Sequence, residues 1–167
     1  MGRVPEYDRA SVLSAAGALF GTLGYAGCSI DDLVQGLAVH RGSLYKAFGS
    51  KRGLFIEALR HHVSGPLSSV AEDLAAASPE CIPEELAARA PELDLLLVAA
   101  VEAGTDPAVE EQMKAALASL GRAKLLGANA SDTEARTAGL LLLSCRLASH
   151  CVPADELPHH LHHLSTK

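Results

Sequence analysis

Ser29-Ile30-Asp31-Asp32-Leu33-Val34-Gln35-Gly36-Leu37-Ala38-Val39-His40-Arg41-Gly42-Ser43-Leu44-Tyr45-Lys46-Ala47-Phe48-Gly49-Ser50-Lys51-Arg52 is the stretch that decides the fold. Ser29 with Asp32 three residues on is a capping pattern that opens a helix, and Ile30, Leu33, Val34 and Leu37 line one apolar face of it. A tight turn over 37–39 leads into a second short helix over 40–47. Leu44 and Phe48 anchor its inner side. The rest of it is polar, with Arg41, Ser43 and Lys46 on consecutive turns, which a buried helix would not tolerate. Donors in that arrangement suit a helix lying in a major groove, where bases and phosphates accept hydrogen bonds. Ser50 opens a further helix. Its free backbone N–H groups, with Lys51 and Arg52 beside them, favour a phosphate, although Arg52 reads better as a solvated surface charge.

On the N-terminal side, Val12, Leu13, Ala16, Leu19, Phe20 and Leu23 recur at helical spacing, and Gly24 is placed to end that helix. On the C-terminal side almost every segment reads as helix. Leu54, Phe55, Ala58 and Leu59 give a fourth helix its face, and Gly65-Pro66 breaks it. A fifth helix spans about 67–77, and Pro83 and Pro91 punctuate a short helix and then a longer one over 92–103. Asp106-Pro107 is a helix start, with Asp as cap and Pro in the first turn. Ser131 with Glu134 is a second capping box, opening a helix to about residue 150. Asp155 caps a last helix with Leu157, Leu161 and Leu164 as its stripe. The fold class expected is all-α, without repeats or strand-like alternation.

Charge is unevenly distributed. The chain of 167 residues carries a net charge of -6. Residues 1–62 hold seven Lys/Arg against five Asp/Glu, while residues 63–167 hold seven against fifteen. A polyanion-binding part can thus be joined to an acidic part that stays off the polyanion. No apolar run approaches the roughly 18 residues of a membrane span. The first eight residues lack a signal-peptide core, so a cytoplasmic location is expected. Cys28, Cys81, Cys145 and Cys151 show no CxxC spacing and are expected to be thiols there.

The set Ala15-Ala16, Leu19-Phe20, Gly24-Tyr25, Ser29-Ile30-Asp31-Asp32-Leu33 and Arg41 to Lys51, with its Leu44-Tyr45-x-x-Phe48 and Ser50-Lys51 spacing, resembles the DNA-binding domain of tetracycline-repressor-like (TetR) regulators over about residues 9–62. The resemblance implies an N-terminal three-helix helix-turn-helix domain over 1–50 and a C-terminal helical ligand-binding and dimerisation domain over 51–167. It implies a homodimer on a palindromic duplex operator that an inducer releases. By position it implies that His40, Arg41 and Ser43 face base edges or nearby phosphates, and that Tyr45, Lys46 and Lys51 contact the backbone. Tyr45 can equally be a packing residue with its hydroxyl in water. Two positions depart from the family: the inter-helix turn has Ala38 where Gly is usual, so it is not expected to rely on a free positive φ, and the second helix starts at His40 where Ser or Thr is usual.

All six aromatic residues lie within the first 55 positions. A pocket in the C-terminal half therefore has no aromatic face to stack a planar or cationic molecule, and an aliphatic small-molecule effector is expected. Its walls would come from the fourth helix and from 93–101. The helix over 133–149 is apolar on several faces, which calls for burial on both sides. With the last helix it makes the expected dimer interface through Leu140, Leu141, Leu143, Leu147, Leu157, Leu161 and Leu164. An alternative is a metal-responsive regulator using His159, His160, His162, His163 and Cys151, some at i, i+4 spacing; the wet side of a terminal helix explains the same histidines. No nucleophile elbow, phosphate loop or dinucleotide-binding glycines occur, so no enzyme and no cofactor is expected.

Overall fold

The structure, a computed structural model, describes residues 8–78, 81–122 and 131–151, with the side chains of 82, 83 and 145–151 outside that description. Among the described residues the chain forms helices only: α1 (Arg9–Leu23), α2 (Ile30–Gly36), α3 (Arg41–Phe48), α4 (Lys51–Ser64), α5 (Pro66–Ala76), α6 (Ile82–Ala88), α7 (Ala90–Ala103), α8 (Pro107–Gly121) and α9 (Asp132–Cys151). None is long and apolar enough to cross a membrane. The helix expected from Asp155 onward lies outside the described residues, as do His159, His160, His162 and His163.

The caps sit where the sequence puts them. Ser29 and Asp32 form a reciprocal capping box at α2, and Ser131 with Glu134 does the same at α9. Asp106 accepts from the Ala108 N–H at the start of α8. Gly24 ends α1 at a φ of +73°. The turn between α2 and α3 overturns one expectation. Ala38 does take a positive φ, +52°. Closing the end of α2 requires it: the Ala38 N–H donates to the Gln35 carbonyl at 3.3 Å and the Val39 N–H to the Val34 carbonyl at 3.3 Å.

Leu13, Ala16 and Phe20 of α1, Leu33 of α2 and Leu44 of α3 close on Leu54, Phe55, Ala58 and Leu59 of α4. Phe20, Tyr25 and Phe55 stack within this core, with Phe20 and Phe55 edge to face at 5.0 Å. The same core runs on through Leu67, Val70 and Leu74 of α5 to Leu93, Leu95, Leu96 and Ala99 of α7. Helix α4 belongs to both parts, packing on α1 and also on α5, α7 and α8. Helix α1 also docks directly on α7. Gly21 permits this approach, because a Cβ there would stand 3.2 Å from the Leu95 backbone nitrogen.

Helices α8 and α9 pair intimately. A Cβ on Gly139 would fall 2.0 Å from the Leu117 carbonyl oxygen. Ala135, Ala138, Leu142 and Leu143 face inward and are buried, whereas Leu140 and Leu141 point outward, 57% and 58% exposed. The expected all-round apolar helix is thus half satisfied within the chain.

Candidate nucleic-acid interface

Helix α3 hangs on one deep anchor. Leu44 is 1% exposed. Phe48 packs at its edge under the Arg9 guanidinium, 4.8 Å from the ring centroid, and Arg9 is held in turn by Glu57 at 2.8 Å. These contacts tie the start of α1 and the end of α3 to the middle of α4. They turn the opposite side of α3 outward: His40, Arg41, Gly42, Tyr45 and Lys46 are exposed. A Cβ on Gly42 would meet nothing within 4 Å among the described residues, so this surface is open to a close approach. His40 is the N-terminal cap of α3, but its ring makes no capping hydrogen bond. Ser43 sits at the flank, half-buried, on the rim of a cleft of about 120 Å³ between α1 and α3 that Val12, Val39 and Ala47 also line.

The start of α4 departs from expectation. Ser50 caps its own helix by accepting from the Gly53 N–H at 3.0 Å. Lys51 turns inward, donating to the carbonyls of Tyr25 at 2.8 Å and Cys28 at 2.9 Å. Its ammonium also lies 4.5 Å from the Tyr25 ring centroid. The turn between α1 and α2 presents those carbonyls without helical partners, and the ammonium meets that need first. Arg52 is bound to Asp106. Neither cation of the expected phosphate site at the start of α4 is therefore free, and Lys51 becomes a clamp between α4 and the α1–α2 turn.

Among the expected contacts, the structure gathers His40, Arg41, Tyr45 and Lys46 on one exposed side, leaves Ser43 at its edge and takes Lys51 away. It adds Asp31, in the first turn of α2, whose Oδ1 accepts from Arg41. Sequence reading had no means to see this pair, because the turn geometry decides which α2 side chain Arg41 can reach. Among the described residues no cluster of three or more His, Cys, Asp or Glu is placed to hold a metal ion. In the expected pocket wall, Leu93, Leu95, Leu96 and Ala99 are buried, while Val101 points out, 78% exposed.

This head matches a known one. Residues 12–58 fit the profile of bacterial regulatory proteins of the tetR family. Residues 12–58 are thus similar to a TetR-family head. An uncharacterized HTH-type transcriptional regulator of Bacillus subtilis, YezE, is 43% identical over 76 residues, 46% of this chain and 39% of YezE. The HTH-type transcriptional repressor BdcR of Escherichia coli is 34% identical over 87 residues, 51% of this chain and 44% of BdcR. The matched stretch is thus under half the length of either relative. In fold, the likeness extends further. A cysteine mutant of the TetR-family regulator CifR, complexed with 26-bp double-strand operator DNA, superposes with a TM-score of 0.56 at 24% identity, covering 97% of each chain. The TetR-family profile ends at residue 58, inside α4, so the family's head includes the first half of the helix that enters the body.

Proposed function

We propose that this chain is a DNA-binding transcriptional regulator, acting as a repressor, that grips a palindromic operator as a homodimer. The observation that supports this most is the outward side of α3. A helix with one buried anchor, Leu44, offers Arg41, Tyr45 and Lys46 to solvent around a bare Gly42. A fold with no use for that surface would have little reason to expose so many donors on so short a helix.

Dimerisation rests on α9. Leu140 and Leu141 form an exposed apolar pair on the outer side of a helix whose inner side is already buried. Burying the pair against a second copy gains hydrophobic free energy and sets two heads on a two-fold axis, as a palindrome needs. Leu143 does not share in this: it is 3% exposed within its own chain. Leu147, Leu157, Leu161 and Leu164 lie outside the described side chains. Release of DNA by an aliphatic small molecule completes the reading, supported by the absence of aromatic residues after Phe55.

Selection of bound duplexes from a random pool, with sedimentation of the free protein, tests the proposal. The expected outcome is a palindromic motif and a dimer at micromolar concentration. Failure to enrich any duplex sinks it. Arg41→Ala is expected to weaken operator binding by about 1–3 kcal/mol, and Lys46→Ala to lower the salt slope by about one.

A further inference from the structure

Arg41 is the first residue of α3 and Asp31 lies in the first turn of α2, so the two stand on the two arms of the helix-turn-helix. Nη2 of Arg41 donates to Oδ1 of Asp31. Both side chains are open to solvent, 52% and 83% exposed. An ion pair so exposed contributes little to folding. What it does change is the freedom of the guanidinium. A free arginine on a surface samples many rotamers and gives them up when it binds. One already fixed through a single N–H has less to lose.

The fixed geometry also selects what Arg41 can meet. One edge of the guanidinium is spent on Asp31. The remaining N–H groups lie in one plane, in a fork that fits two acceptors side by side. Guanine offers such a pair in the major groove, O6 and N7. The Asp31 carboxylate meanwhile repels phosphates, which weakens binding to every duplex alike and so widens the gap between the right sequence and the rest.

We propose that Asp31 is a positioning residue that presets Arg41 for a guanine in each half-site of the operator. This deepens the reading of the chain as an operator-binding dimer and rests on it. Asp31 itself touches no base; it acts through Arg41.

The test is random-duplex selection with the full chain and with Asp31→Ala, Arg41→Ala and the double variant, each first checked for an unchanged thermal melt. The wild type is expected to enrich a palindrome with a guanine that Arg41→Ala no longer selects. Asp31→Ala should cut the preference for that guanine about two- to fivefold, the most that so exposed a pair can preorganise, and should raise affinity for unrelated duplex at low salt. In the Arg41→Ala background, Asp31→Ala should no longer alter base preference. Asp31→Ala that keeps full guanine preference overturns the proposal, whether or not total affinity rises. So does a palindrome in which no base depends on Arg41. A wild type that enriches no duplex removes the operator-binding reading itself, a different failure.

Discussion

Arg52, the second residue of α4, is joined to Asp106, the cap of α8, by two hydrogen bonds: Nε to Oδ2 at 2.6 Å and Nη2 to Oδ1 at 2.8 Å. The same carboxylate accepts from the Ala108 N–H at 3.0 Å. One acid thus caps a body helix and holds the first turn of the helix that enters the body from the head.

The double duty gives an ordering. Arg52→Ala removes only the bridge and leaves α8 capped, whereas Asp106→Ala removes both. The midpoint of thermal unfolding should therefore fall more for Asp106→Ala than for Arg52→Ala, and adding Arg52→Ala to Asp106→Ala should cost less than it does alone. The guanidinium of Arg52, foremost, holds the Asp106 carboxyl below its ordinary 3.8. A depressed carboxylate stabilises the fold above its unfolded value, and that stability is lost as pH falls through the folded value. The gap between wild type and Arg52→Ala should close in strong acid. A gap that is constant down to pH 2 would count against the bridge.

Lys51 and Arg41 should separate cleanly in a pair of measurements. Lys51 gives two hydrogen bonds to carbonyls in a half-buried setting, and charge-assisted bonds of this kind are worth more than neutral ones. Lys51→Ala is expected to cost about 1–2 kcal/mol in denaturant unfolding, with any loss of operator affinity following from the loosened head. Arg41→Ala is expected to leave stability within about 0.5 kcal/mol and to act on affinity alone. A stability-neutral Lys51→Ala with a reduced salt slope would return Lys51 to the phosphate backbone.

Much of the fold was legible because its signals are local. Caps at Ser29, Ser50, Asp106 and Ser131 and the stops at Gly24 and Gly65 announce themselves within four residues, and Leu44 and Phe48 follow from the helical period. What escaped is what only the folded backbone decides. Asp31 and Arg41 are ten positions apart, Arg52 and Asp106 fifty-four. Lys51 looked like a phosphate ligand because sequence does not display the unpaired carbonyls of Tyr25 and Cys28. Leu143 looked like an interface residue because an apolar helix does not say which of its faces is met inside the chain and which outside.

Ala38 shows the same limit in the backbone. Its left-handed φ of +52° crowds the Cβ of an L-residue against the neighbouring carbonyl, at about 1–2 kcal/mol. Glycine relieves that crowding but gives the unfolded chain more freedom, worth about 0.4–1 kcal/mol in the other direction. The residue is exposed, so no packing is lost. Ala38→Gly should therefore stabilise the protein by about 0.5–1 kcal/mol, raising the midpoint of thermal unfolding by roughly 1–4 °C. A lower midpoint would show that the turn relaxes out of the left-handed region in solution.

His62 supplies the clearest pH dependence. It is 7% exposed, facing the core from α4, and among the described residues its Nε2 has no hydrogen-bond partner. Burial, the largest influence, pushes its pKa below the ordinary 6.5; the Glu92 carboxylate and backbone on α7 oppose this, and His61 adds to it. The folded chain therefore holds the ring neutral at a pH where the unfolded chain protonates it. With more protons bound unfolded, stability is full above about pH 6.5 and declines below it, by at most about 1.4 kcal/mol per pH unit, until the folded value is reached. His62→Leu replaces this ring, with its unsatisfied Nε2, by an apolar side chain that does not titrate, and it should flatten that decline. Denaturant unfolding of both proteins between pH 5 and 8 should give curves that diverge toward acid, with the variant above. Parallel curves would mean that another group carries the acid sensitivity, and that water or a shifted backbone satisfies the Nε2 of His62 in solution.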